Sequence, residues 1–177
     1  MRTQERSGPS LKLGLVKNDP KPKIYCGRNN CPLAQNTECK NRCYIESVDY
    51  SIACKRCIDR DPIQARVYIG ETSKNIYTRL QGHIGDLKRS AKNPRITQSW
   101  MANHVSESHG GIYNITNPIE DWVTTICGTH RKPINRQVKE MINIRKVKKS
   151  GKAKIGGKEI KISKEVFNTK EEWYSHC

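Results

Sequence analysis

Arg66-Val67-Tyr68-Ile69-Gly70-Glu71-Thr72, followed by Arg79 and His83, is the stretch that decides the fold. Val67-Tyr68-Ile69 reads as a short buried strand, with Gly70 permitting a sharp exit from it. A helix then starts near Ser73, because Ile76, Leu80, Ile84 and Leu87 recur at helical spacing, and it ends near Lys92, before Pro94. Arg79 and His83 are one turn apart, so they share a face beside that apolar stripe. A strand tyrosine and an Arg/His pair on the next helix can converge on one point, as a phosphodiester site requires. The bland alternative is a solvated helix face, since short motifs recur by chance.

Working outward, strands near 47–53 and 66–70 form an antiparallel pair around a loop carrying Cys54 and Cys57. A second helix, Thr97 to His109, carries Trp100, His104 and His109 before Gly110-Gly111 ends it. Trp122-Val123-Thr124-Thr125-Ile126-Cys127 is β-branched and aromatic, which predicts a third strand. Pro133 opens a helix to about Lys149, with Ile134, Val138, Met141 and Ile142 as its expected buried face. The Lys/Gly-rich insert at 146–164 is expected to be a mobile hairpin near nucleic acid. The fold class is therefore α+β: a small central antiparallel or mixed sheet of about three strands, flanked by helices. Residues 1–23, with Pro9, Pro20 and Pro22, read as a linker or arm, 24–46 as a Cys-rich unit and 47–177 as the main domain.

The 177 residues include one Phe and eight Cys, with 34% hydrophobic content, so metal crosslinks are expected to supplement a lean core. Thirty-three Lys plus Arg against 17 Asp plus Glu give a net charge of +16. Such an excess attracts polyanions, and nucleic acid is the first partner to expect. A basic ribosome-associated or RNA-binding protein is the alternative, though one Phe offers little stacking platform. No run of eighteen apolar residues and no signal-peptide pattern occurs, so neither a membrane span nor secretion is expected.

Cys54-x2-Cys57 has metal-ligand spacing, and His104-x4-His109 fits the second half of a zinc site if the fold brings the halves together. A disulfide or idle thiols are the alternative. Cys26-x4-Cys31-x7-Cys39-x3-Cys43 resembles an all-cysteine zinc knuckle. Cys127 and Cys177 have no sequence partner.

Taken in order, these pieces resemble the GIY-YIG nuclease family, most closely the nuclease domains of Penelope-like retroelements. There a first strand ending in Tyr is followed by a Tyr-Ile-Gly strand and a helix bearing Arg and His. Val48-Asp49-Tyr50 stands in the place of the first Gly-Ile-Tyr, with Asp49 where the family has Ile, and Tyr44 is the fallback for the first tyrosine. The Cys54/Cys57 and His104/His109 pairs stand where those retroelement domains carry theirs, and Phe167-Asn168 resembles their closing segment. The resemblance implies that Glu140, on the helix after the third strand, holds one Mg²⁺, a cation content with one carboxylate plus waters and phosphate oxygens. It makes Tyr50 the general base or water polariser, and Tyr68 the residue that orients the water or binds the phosphate. Arg79 would neutralise developing charge, His83 would hydrogen-bond Tyr50 or relay a proton, and Asn168 would brace the site.

The function it implies is a Mg²⁺-dependent endonuclease, with one or two structural Zn²⁺, that nicks double-stranded DNA. The 3′-hydroxyl would prime reverse transcription in the nucleus, with the reverse transcriptase and element RNA as partners. Lys146-Val147-Lys148-Lys149 could serve nuclear localisation or DNA contact. The competing function is a zinc-stabilised nucleic-acid-binding module without cleavage.

Overall fold

The computed structural model describes residues 31, 33, 42–93, 99–111 and 121–168. The expected arm at 1–23, Cys26 and Cys39, and the segments adjoining the second helix and third strand at 94–98 and 112–120 lie outside the described residues.

Chain order is β1 (Val48–Cys54), α1 (Lys55–Arg60), a short 3₁₀ turn (Pro62–Gln64), β2 (Val67–Thr72), α2 (Ile76–Lys92) and α3 (Trp100–His109). Then come β3 (Trp122–Thr129), α4 (Pro133–Ser150), β4 (Lys152–Ile155) and β5 (Lys158–Lys161). The main sheet is antiparallel in the order β2-β1-β3, and β4-β5 is a separate hairpin. The protein is thus α+β with a three-stranded sheet.

β1 is buried along its whole length, because both faces of the central strand are covered. Val48, Tyr50, Ile52 and Cys54 face a core shared with Leu80 and Leu87 of α2 and Met101 and Val105 of α3. Ala53, on the opposite face, joins Val67, Ile69, Ile144, Val147 and the hairpin residues Ala153 and Ile155. Cys31, Leu33 and Cys43, from the Cys-rich segment, pack into the first core. That segment is tied to the domain by backbone bonds: Ile76 N donates to Ile45 O and Tyr77 N to Cys43 O. Asn75 caps α2, its side chain accepting from Thr78 N at 2.8 Å, so the helix begins at Ile76 rather than near Ser73.

Three local expectations are corrected. Gly70 does not end β2, which runs on to Thr72; it is needed inside the strand for a different reason, given below. On α4, Ile134, Val138 and Ile142 point to solvent, at 60%, 39% and 45% exposure, while Arg136, Ile144 and Val147 are buried. The sheet face beneath α4 presents the side chains of Asp49 and Glu71, so the helix turns its polar residues inward to meet them. The Lys-rich insert is a hairpin, but one fastened to the sheet. Ser51 Oγ donates to Lys154 O at 2.8 Å, Gly156 N donates to Thr125 Oγ1 at 2.8 Å, and Ala153, Ile155 and Ile162 are buried. Its lysines alternate outward with those apolar residues, and composition alone hid the alternation.

Candidate active site and metal cluster

Tyr50 and Tyr68 project from one face of the sheet, because Tyr50 pairs with Gly70 and Ile52 with Tyr68. The two rings are 6.2 Å apart by centroid. Gly70 lies between them: a Cβ there would come within 2.7 Å of Tyr68 Cε1 and 2.8 Å of Tyr50 Cζ and Oη. Glycine is required for close approach, since side chains cannot overlap at such distances.

α2 brings Arg79 and His83 to the same phenol. Arg79 Nε–H donates to Tyr50 Oη at 2.9 Å, and Tyr50 Oη is 2.9 Å from His83 Nε2. The phenol oxygen accepts from Arg79, and when its own proton is given to His83 that ring carries its hydrogen on Nδ1. Both partners of this buried chain are electrically neutral. Burial, reinforced by Tyr68, pushes the Tyr50 phenol above its ordinary range, although Arg79 pulls the other way. Burial, then the positive charge of Arg79, lowers His83 from 6.5 to about 4. Tyr44, by contrast, is 41% exposed, so of the two upstream tyrosines it is Tyr50 that meets Arg79 and His83.

The negative charge of Glu140, half-buried on α4, raises Tyr50 further. Asn168 closes the outer edge of β2: its side chain accepts from Ile69 N at 2.9 Å and its amide donates to Ile69 O. With Ser163 N donating to Ala65 O and Phe167 N to Val67 O, residues 163–168 serve this edge as a short strand would. Asn168 therefore braces the backbone of Ile69, between Tyr68 and Gly70.

Trp100 was placed on α3 by the sequence but given no role, and the structure makes it a hub. Its ring stacks on Tyr68 at 4.6 Å and 4°, and on Phe167 at 5.1 Å. Its spacing of four from His104 was the available signal, since both must share a face of α3. Trp122 meets Trp100 at 5.4 Å and His104 at 5.6 Å, so one aromatic layer runs from the tyrosines to the cysteines.

That layer ends at Cys54, Cys57, His104 and His109, whose ligand atoms all lie within 4.8 Å of one another. Cys54 closes β1, Cys57 lies on α1, and the histidines come from α3, so the fold joins halves far apart in sequence. Cys54 Sγ is 3.3 Å from His109 Nε2, and Cys57 Sγ is 3.4 Å from His104 Nε2 and 3.5 Å from His109 Nε2. A tetrahedral zinc with Zn–S near ~2.3 Å and Zn–N near ~2.0 Å sets S and N ~3.5 Å apart, so the donor set fits. Ser108 Oγ lies 3.3 Å from His104 Nδ1 and orients that ring, as outer partners of zinc ligands do. Burial raises Cys54 to about 12 and lowers His104 to about 4, so the crowded cluster favours neutral groups unless a cation supplies charge. The cluster can hold a structural zinc, and it is the one such group among the described residues.

The sequence marks Asp49 only as a departure from the family pattern and gives Glu71 no role, yet both acids lie under α4. Asp49 is 2% exposed; its Oδ2 accepts from Asn143 Nδ2 at 2.9 Å, and its Oδ1 lies 3.0 Å from His130 Nε2 without hydrogen-bond alignment. Gly128 leaves room for that pair, since a Cβ there would sit 2.7 Å from Asp49 Oδ1 and 2.9 Å from His130 Nε2. Glu71 pairs with Arg136 at 2.9 Å.

Comparison of the chain with family models, with curated proteins and with solved structures finds no match.

Proposed function

We propose that this chain is a divalent-cation-dependent DNA endonuclease of the GIY-YIG type. The observation that carries the reading is the Tyr50 phenol, held at 2.9 Å by both Arg79 Nε and His83 Nε2 beside the half-exposed Tyr68. A phosphodiester cleavage needs a water activated and the added charge on phosphorus neutralised. Arg79 supplies a fixed planar cation for that charge. Tyr50 can take a proton from water only as it passes its own to His83 Nε2, because the buried phenol gains nothing by ionising alone. A bound phosphate would favour that transfer by offsetting the charge gained on His83.

Glu140 is the carboxylate that would hold Mg²⁺, which when bound supplies charge to the phosphate and leaving oxygen. In this reading Tyr68, stacked on Trp100, orients the attacking water or the phosphate, and Asn168 fixes the strand that carries it. The retroelement setting rests on the resemblance together with the +16 charge: nicking of double-stranded DNA in the nucleus, a 3′-hydroxyl for reverse transcription, and a reverse transcriptase with its element RNA as partners.

A second reading, a zinc-stabilised nucleic-acid-binding module without cleavage, is favoured by one feature: burial pushes the Tyr50 phenol above its ordinary range and so opposes its use as a base. Supercoiled plasmid incubated with the zinc-loaded protein in Mg²⁺ or EDTA separates the two. Nicked circles that need Mg²⁺ and disappear with Glu140→Ala support the nuclease. Salt-sensitive binding with no nicking supports the module.

A further inference from the structure

Two polar ties join α4 to the sheet, and Glu140 lies between them. Arg136 Nε donates to Glu71 Oε2 at 2.9 Å, and Asn143 Nδ2 donates to Asp49 Oδ2 at 2.9 Å. Asp49 and Glu71 face each other across β1 and β2, so both ties spring from one place on the sheet. On the helix, Glu140 falls four residues after Arg136 and three before Asn143, which puts all three on one side.

Buried charge is a poor way to hold a helix down. An apolar pair of similar volume packs as well or better, because ionic groups must first lose their water. What a hydrogen bond adds is distance and direction. With two such ties spaced along its face, α4 can neither slide nor roll by one residue without breaking both. A slip of one residue moves the helix by about 1.5 Å, enough to misplace a single metal-binding carboxylate.

We infer that Asp49 and Glu71 are positioning residues, a two-point clamp that fixes the register of α4 on the sheet and with it the place of the Glu140 carboxylate between the two ties. The catalytic part of this inference rests on the nuclease reading above. Gly128 and His130 complete the clamp by making room for Asp49 and flanking its second oxygen. Asp49 stands where the family pattern has Ile, so the clamp is a feature of this chain rather than of the motif it resembles.

The test uses the full zinc-loaded chain with Mn²⁺ as the probe, read by plasmid nicking across a Mn²⁺ series and by paramagnetic resonance of protein-bound Mn²⁺ without DNA. Asp49→Asn keeps an acceptor for Asn143 and should stay near wild type in both. The paired change Asp49→Leu with Asn143→Leu replaces the tie by apolar contact and should melt close to wild type. It should nevertheless need ~10-fold more Mn²⁺ for half-maximal nicking and bind Mn²⁺ correspondingly more weakly, as loss of outer-shell support does elsewhere. A merely structural tie predicts that recovered stability brings recovered Mn²⁺ dependence, and that result overturns the inference. If the paired variant does not fold, Asn143→Ala decides by the same two readouts. A wild-type protein that binds Mn²⁺ through Glu140 but never nicks ends the nuclease reading, while the binding arm still judges the clamp. If it binds no Mn²⁺ through Glu140, both fall.

Discussion

Tyr50 Oη lies 2.9 Å from His83 Nε2 and accepts from Arg79 Nε–H at the same distance, so one phenol oxygen joins both side chains of α2. Tyr50→Phe leaves the ring in place and takes a partner from buried His83 and half-buried Arg79. We expect a stability loss of about 1–3 kcal/mol from the unpaired partners. Nicking should fall on the order of a hundredfold or more, the scale for groups that act only as charge develops. Single-turnover rates at saturating DNA measure it, and a wild-type rate would remove the phenol from the reaction.

Gly70→Ala puts a methyl within 2.8 Å of both tyrosine rings. Neither ring can yield freely: Tyr50 is fully buried and Tyr68 is stacked on Trp100. The expected cost is about 1–3 kcal/mol of overpacking, with nicking reduced more than melting temperature would suggest. Calorimetry alongside plasmid cleavage checks this, and a substitution that is silent in both would mean the rings are not held as described.

Cys54→Ser removes one of four donors from a cluster that links β1, α1 and α3. Zinc measured by atomic emission should drop by about one equivalent, with a large fall in thermal stability, because structural zinc contributes folding free energy directly. Chelation of the wild-type protein should reproduce the effect. Unchanged zinc and melting in Cys54→Ser would exclude the cluster as a metal site.

His83 is lowered from 6.5 to about 4 by burial and by Arg79. The unfolded chain therefore takes up this proton first as pH falls. Its contribution to stability is whole above pH ~6.5, shrinks below that value and is gone near pH 4, a loss of at most ~3 kcal/mol. Urea midpoints from pH 4 to 7 should rise more steeply for wild type than for His83→Gln. Equal slopes would place the acid sensitivity elsewhere.

What the sequence disclosed was whatever depended on period. The stripe Ile76, Leu80, Ile84 and Leu87 is buried as its spacing predicts, and Trp122 to Cys127 is a strand. The four zinc-type donors, separated in two pairs, were legible from residue type and spacing, and they meet because β1, α1 and α3 carry them to one place. Where two faces compete, period alone misleads. α4 has aliphatic residues at 134, 138 and 142, yet the sheet beneath presents Asp49 and Glu71, so Arg136 and Asn143 point inward. Nothing in the helix's own sequence announces what it will meet. The same holds for Trp100 and Phe167, whose stack depends on how residues 163–168 lie along β2.

That last segment has a consequence for how the protein comes into being on the ribosome. The outer edge of β2 receives its partners from Ser163, Phe167 and Asn168, about a hundred residues downstream. Until those residues emerge, the strand bearing Tyr68 offers open backbone groups to any neighbouring nascent chain. The same delay leaves Ile69 unbraced and Trp100 without Phe167. Synthesis itself thus imposes an order of events: the edge stays open on a half-made chain, and the final docking that covers it also fixes Ile69 and stacks Phe167 on Trp100.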